Sequence, residues 1–288
     1  MAIELATQFT SNVDEQFSSE SRRELLTNRG YDWTGAHSIK VYKITTSKMN
    51  DYNRAGETDE VNWSRFGPVK NLNASTEELT LTKDRSFTFV IDLMDEDETT
   101  HAVAAAGALA RQNREVVIPE VDAYVYNVMC TKAGTKPAAK TLTVDNLYDE
   151  IIAGSAVLDN AEVPETERVL VVNPEIYRIM KKCPEIVMDT DVGNELRLKG
   201  VIGTVDGMTV IKVPANRLPE GFGFMLAHPV ATVAPVKLEA FRVHEDPPGI
   251  SGALVEGRIY YDAFVLDNKK LAIYYQAHKA STTPPSGT

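Results

Sequence analysis

Apolar and polar side chains alternate most clearly in two stretches of the N-terminal third. Residues 38–46, SIKVYKITT, are rich in β-branched side chains and alternate, which predicts a strand. Residues 78–94 predict a second, longer one. Leu79, Leu81, Phe87, Phe89, Ile91 and Leu93 share a face at the two-residue period, with Lys83 and Arg85 interrupting it midway. Between them lie about thirty mostly polar residues, 47–77. Structureless loops longer than about 15 residues are uncommon inside compact domains. This stretch carries Tyr52, Trp63, Phe66, Val69 and Leu72, more large apolar side chains than a disordered tract usually holds. We expect a hairpin that projects from its own domain and packs on another subunit. Residues 1–36 are polar, with Val13, Phe17, Leu25 and Leu26 suggesting a short helix over 14–26. Two readings stay open for this segment: a floppy terminus, or an arm that orders only against a neighbouring subunit.

Helical spacing follows. Val103, Ala106 and Ala110, then Val117, Val121, Tyr124, Val125 and Val128, recur at intervals of three and four. A helix over 99–132 would be about 50 Å long. Thr99 and Thr100 are its expected N-caps, and Asp95, Glu96, Asp97 and Glu98 suit the positive end of its dipole. Pro119 should kink or divide it. Residues 133–140, AGTKPAAK, read as a linker. Val144, Leu147, Tyr148, Ile151 and Ile152 predict an amphipathic helix, and 169–172 a short buried strand. Asn173-Pro174 then opens a helix over 174–182, with Pro184 stopping it. Residues 201–205 and 208–213 flank Asp206-Gly207, a strong hairpin signal. Strands are expected at 222–226, 233–243, 254–266 and 271–275, the last after a turn at 267–270. The tail, 280–288, is low in complexity.

Composition narrows the function classes. The chain has 288 residues, 43% of them hydrophobic and 25% charged, enough for a substantial core. Its formal charge of -11 argues against a strong grip on nucleic acid, which needs clustered Lys and Arg. Arg22-Arg23 and Lys181-Lys182 are single pairs without interleaved aromatics. The two cysteines, Cys130 and Cys183, form no CxxC or Cys/His cluster, which suits a reducing compartment. The opening residues lack the basic and apolar regions of a secretory signal, and no apolar run reaches membrane-spanning length.

Catalytic patterns are missing. His37, His101, His228, His244 and His278 are scattered, and a structural role is expected for each. There is no GxSxG, Walker A or GxGxxG, and Gly221-Phe222-Gly223 lacks both a third glycine and a following helix. Asp189, Asp191 and Glu195 imitate a cation loop only partially, because Gly193 is misplaced for a calcium hand. No catalytic, cofactor-binding or metal-binding residue is assigned.

Three segments carry a family resemblance. GVIGTVDGMTVIKV at 200–213 looks like a hairpin after a mid-domain helix, and FMLAHPVA at 224–231 like a segment leading to closing strands. VEGRIYYDAFVLDNKKLAIYY at 255–275 is similar to an ending in which a Tyr-Asp-Ala run precedes a short final strand. In this order, behind a polar arm, a long two-stranded excursion and a long helix, they resemble the HK97-like major capsid proteins of tailed phages over residues 1–277. The resemblance implies an α+β HK97-like capsid fold. Residues 1–36 would be the N-terminal arm, 37–94 the extended E-loop β-hairpin with its supporting strands, and 95–135 the spine helix of the P domain. Residues 136–231 would be an α/β A domain, 232–279 the closing strands of the P domain, and 280–288 a flexible tail.

The function implied is that of a non-enzymatic subunit. Copies would self-assemble into hexamers and pentamers of an icosahedral shell in the host cytoplasm, and double-stranded DNA would be contained rather than specifically bound. Scaffolding, portal and decoration proteins are the further partners implied, with no membrane. Inter-subunit contacts are expected at Phe17, Tyr52, Trp63, Phe66 and Leu72. Some relatives crosslink Lys to Asn. Lys48, Lys70 and Asn268 are present here, but no motif pairs them, so noncovalent burial is expected to hold the shell. Two other readings remain at this stage: an encapsulin-type compartment shell, and a soluble hydrolase or binding module with a composite site.

Overall fold

The computed structural model describes residues 21–28, 30, 38–44, 46–54, 64–69, 71, 74–94, 105–183, 201–245 and 247–279. Several expectations lie outside the described residues: Val13 and Phe17, His37, Trp63, Lys70 and Leu72, the caps at Thr99 and Thr100, His101, the acidic loop at 189–195 and the tail. The chain divides into two compact units, Trp33–Leu81 and the remainder.

Trp33–Leu81 is built on a hairpin. Strand β1 (Ser38–Ile44) pairs antiparallel with β2 (Ala74–Thr80), from Ser38 opposite Thr80 to Ile44 opposite Ala74. Lys43 and Glu77, two positions apart across the ladder, form an ion pair at 3.0 Å. Farther out the two limbs stay close. The Asn53 N–H donates to the Arg65 carbonyl at 2.9 Å, and the Asn50 side chain donates to the Phe66 carbonyl at 3.3 Å. The expected excursion is therefore a hairpin, with β2 starting earlier than residue 78.

The strand expected over 78–94 is two strands. After β2 the chain breaks at Leu81-Thr82 and resumes as β3 (Lys83–Asp92). The cause is Asp262, whose carboxylate takes both the N–H and the hydroxyl of Thr82 at 2.8 Å and removes that residue from any ladder. The two strands also have different partners, β1 for one and a C-terminal strand for the other. Of the expected apolar face, Leu79, Leu81 and Ile91 are buried, while Leu93 is exposed.

The long helix has three parts: α1 (Ala105–Gln112), a π turn (Asn113–Val117) and α2 (Ile118–Lys132). Pro119, at the start of α2, lacks an N–H and its ring would crowd the carbonyl four residues back. The wider π turn directly before it accommodates this, with the Ile118 N–H reaching back five residues to Asn113. The described helix is about 42 Å long. Through α2 it buries Val121, Val125, Tyr126 and Met129.

Residues 133–140, expected as a linker, are tied along their length. Thr135 and Lys140 form parallel bridges with Tyr274 and His278, and the Gly134 N–H donates to the Lys270 carbonyl at 2.8 Å. Next come α3 (Leu147–Asn160), β4 (Val169–Val172) and α4 (Pro174–Met180). Helix α3 buries Leu147, Ile151 and Leu158; Ile152, expected on that face, points outward. Asn173 caps α4 by accepting from the Ile176 N–H at 2.7 Å. That helix ends at Met180, and Lys181 and Lys182 lie in the following turn.

Strands β5 (Val201–Val205) and β6 (Met208–Lys212) meet at a turn in which Asp206 (φ 50°) and Gly207 (φ 72°) are both left-handed, the requirement of a tight type I′ hairpin. β7 (Phe222–Ala227) follows. The expected strand 233–243 is divided at Pro235 into β8 (Thr232–Val233) and β9 (Val236–Glu245). The expected strand 254–266 is divided at Asp262 into β10 (Gly252–Tyr261) and β11 (Phe264–Val265). Asp262 accepts from the Ala263 N–H at 2.8 Å, which turns the chain. A 3-10 helix (Asp267–Ala272) then delays the final strand, β12 (Ile273–Ala277).

Two sheets organise the larger unit. One is antiparallel, in the order β3-β10-β9; Phe87 and Phe241 stack across it at 6.0 Å over Gly257, where a Cβ would lie 2.3 Å from the Phe87 ring. The other has the order β12-β7-β4-β6-β5, with β4 and β6 parallel. Its edge strand β12 comes from the far end of the chain, so this sheet is not confined to residues 136–231. One face of it packs with α2, and the other with α3 and α4. Two histidines have structural roles: His228 accepts from the Val230 N–H, and His278 from the Leu142 N–H.

Candidate inter-subunit surface

The outer part of the hairpin presents apolar groups to solvent. Tyr52 is 51% exposed and Phe66 76%, and their rings meet edge to face at 5.0 Å. Met49, Val69 and Tyr42 are exposed alongside them in sequence. Of the five expected contact residues, Tyr52 and Phe66 are thus brought together; Phe17, Trp63 and Leu72 lie outside the described residues. Scattered exposed apolar residues are ordinary. Two exposed aromatic rings in contact on the outer part of a two-stranded ribbon form a patch of the kind that marks contact surfaces.

Two buried aspartates, Asp122 and Asp262, gather hydrogen bonds within the larger unit. Asp122 on α2 is 1% exposed. It accepts from Ser21 at 2.7 Å, from Arg217 at 2.8 Å and from Arg23 at 3.4 Å, and Arg22 also donates to the Lys212 carbonyl. Leu26, fully buried, packs in the same core as α2. Residues 21–28 therefore dock on their own subunit, which limits any arm that reaches a neighbour to the residues before them. Burial raises the Asp122 pKa, while the Ser21 hydrogen bond and the charges of Arg23 and Arg217 hold it back.

Asp262 holds Thr82, the first residue of the larger unit after the hairpin. Besides Thr82 and Ala263, it accepts from the Tyr124 hydroxyl at 2.7 Å. Burial and this carboxylate keep the Tyr124 proton in place far above the usual phenol range. An Asp262→Asn substitution keeps the size but, in either orientation, turns an NH2 toward a backbone N–H, of Thr82 or of Ala263, that can only donate. It is expected to destabilise the subunit by about 2–3 kcal/mol, read from urea unfolding midpoints; an unchanged midpoint would show that these hydrogen bonds do not hold the larger unit. Neither aspartate was singled out from the sequence. Asp262 had a signal, as the centre of the Tyr-Asp-Ala run; Asp122 had a weaker one, as a lone acid among the valines of α2.

Among the described residues no His, Cys, Asp or Glu side chains are grouped as a metal ion requires, and no helix is long and apolar enough to cross a membrane. Cys130 and Cys183 are both buried, and burial pushes the Cys130 thiol up to about 12.

The profile of a family described as phage capsid protein matches residues 75–275, from β2 to β12. This chain belongs to the phage capsid protein family. As a phage capsid protein it is a structural, non-enzymatic subunit that assembles with its own kind into a shell, and its place is the virion capsid. It is a major capsid protein with an HK97-like, mixed helix-and-sheet fold, and the family match favours the virus over the compartment and hydrolase readings. Solved structures carry the same fold. A chain of Mycobacterium phage Che8 is 18% identical with a TM-score of 0.70, covering 96% of each chain. The mature capsid of bacteriophage PhiM1 gives 14% identity and a TM-score of 0.69, over 98% of this chain and 93% of that one. The capsid of the cyanophage P-SCSP1u gives 14% and 0.68, over 97% and 94%. No curated protein matches the chain.

Proposed function

We propose that Trp33–Leu81 is the E-loop of this capsid protein and acts by lying across an adjacent copy, with the segment before residue 21 as an arm that does likewise. The observation behind this is the hairpin itself: a two-stranded ribbon whose outer aromatic side chains are exposed. A two-stranded hairpin alone is marginally stable in water, so burial against a neighbour supplies what its own ladder lacks. In the same reading the helix from Ala105 to Lys132 is the spine of the P domain, with β3, β9 and β10 completing that domain. The five-stranded sheet with α3 and α4 is the A domain. Heterologous contacts close copies into hexamers and pentamers of an icosahedral shell. Assembly takes place in the host cytoplasm, with scaffolding, portal and decoration proteins as further partners. The double-stranded DNA inside is contained, in keeping with the charge of -11.

A cysteine probe tests the role of the hairpin, because both native thiols are buried. Phe66→Cys is expected to react with a maleimide at least about tenfold faster in free subunits than in assembled particles, as an interface that excludes water requires. Equal reactivity in the two states would remove the hairpin from the interface.

A further inference from the structure

The two ends of the central sheet carry opposite charge. At the carboxyl ends of β4 and β6, the ammonium groups of Lys181 and Lys212 both lie over the Tyr177 ring, 5.5 and 5.1 Å from its centre. Arg178 and Lys182 are exposed on the same short segment. Among the described residues none of these four cations forms an ion pair, in a chain with eleven more acidic than basic groups. Among the described residues, the acids nearest in sequence at that end are Glu175, in the first turn of α4, and Glu220, before β7. Cations crowded over one ring repel one another, and an anion brought in from outside relieves that repulsion.

The amino ends of the same strands are acidic. Glu162, Glu165 and Glu167 are exposed on the loop entering β4, and Asp206 is exposed in the turn entering β6. The loop is held rigidly. Arg168, 3% exposed, donates to the Val163 and Pro164 carbonyls and pairs with Asp159 at 2.6 Å, so its own charge is already matched. An open cavity of about 530 Å³ lies at this end, lined in part by Glu167, Glu24 and His228. Arg168 and Lys269 are the basic groups that act on His228 there. The four residues of β4 place the two ends roughly 13 Å apart.

We propose that the basic end of this module on one copy seats against the acidic end on the next, setting the head-to-tail order of copies around a capsomer. This rests on the capsid reading above and names the contact by which one copy selects its neighbour. A second copy is the occupant because a single chain carries both complementary charges on opposite ends of one rigid sheet. Repetition of such a heterologous contact is what closes a ring. Complementary charge chiefly sets orientation and register, and like charges placed in contact cost several kcal/mol.

The test is a charge exchange in the full chain. Lys181→Glu with Lys182→Glu reverses the basic end, and Glu162→Lys with Glu165→Lys reverses the acidic end. Unfolding midpoints, expected to be unchanged for these exposed positions, confirm that each variant is folded. Each reversed end alone is expected to raise the protein concentration needed for assembly by about tenfold or more. The chain with both ends reversed is expected to assemble near the wild-type concentration. If the doubly reversed chain assembles no better than the single ones, or if the single ones assemble like wild type, the pairing is wrong. If K181E/K182E shells form normally but retain less DNA, the basic end faces nucleic acid and the proposal fails in that direction. A wild-type chain that forms no particles defeats the capsid reading and this proposal together, whereas normal wild-type shells with no rescue defeat only the pairing.

Discussion

Replacing Tyr52 and Phe66 together by alanine is expected to leave the subunit folded and to raise the concentration needed for shell assembly by more than about tenfold. The two halves of that expectation have separate causes. Within one copy the rings touch each other edge to face and are otherwise largely open to water. Such a contact is worth about 0.5–1.5 kcal/mol, and the loss falls on the hairpin rather than on the buried core of the larger unit. Against a neighbour the same rings become buried aromatic anchors, and truncating such an anchor typically costs about 2 kcal/mol or more. A factor of ten corresponds to about 1.4 kcal/mol, so even one engaged ring gives a readable shift. Light scattering against protein concentration measures assembly, and the urea midpoint measures the fold. A variant that assembles like wild type would place the rings outside the interface.

Asp122→Ala is expected to act in the opposite way, on the fold first. It removes an acceptor of Arg217, whose side chain is 4% exposed and cannot shed its charge, and it also releases Ser21 and Arg23. Removing one partner of a buried ion pair typically costs about 3–5 kcal/mol, a large share of the total stability of a domain. Replacing both partners, as Asp122→Leu with Arg217→Met, should recover more than half of that loss, because much of the cost of breaking a buried pair is the desolvation of the charge that remains. Urea unfolding gives both numbers; a loss below about 1 kcal/mol for the single variant would show that Arg217 finds water instead. The pH dependence has a definite sign. The folded carboxyl has a pKa above the usual 3.8, so the native state takes up the proton first as pH falls. Through this group stability rises as pH drops toward 3.8 and is level below it. Mild acid therefore does not unfasten residues 21–28 by way of Asp122.

What the sequence disclosed was mostly local chemistry. Asn173-Pro174 opening a helix, Asp206-Gly207 turning a hairpin and the buried run 169–172 each depend on residues within a few positions of one another. The long excursion was legible as a hairpin because Tyr52 and Phe66 are unlike a disordered tract, and these two also proved to be neighbours in space. The errors came from distant partners. The break at Leu81-Thr82 is imposed by Asp262, 180 positions away, and no periodicity within 78–94 signals it. The ties between 133–140 and β12 likewise join residues more than a hundred positions apart. Pro119 was correctly read as a disturbance, but the way it is absorbed, by a π turn before it, depends on how the helix packs. Ile152 shared a helical face with Ile151 only approximately, and the sheet covered the one and not the other.

The dependence of the hairpin on a second copy is tested most directly by cryo-electron microscopy of particles grown from the purified chain. The expected map is a closed icosahedral shell in which density for Trp33–Leu81 crosses from each subunit onto the body of the next, with the Tyr52 and Phe66 rings covered there. A concentrated, intact preparation that remains monomeric, with that hairpin folded back on its own larger unit, would contradict it.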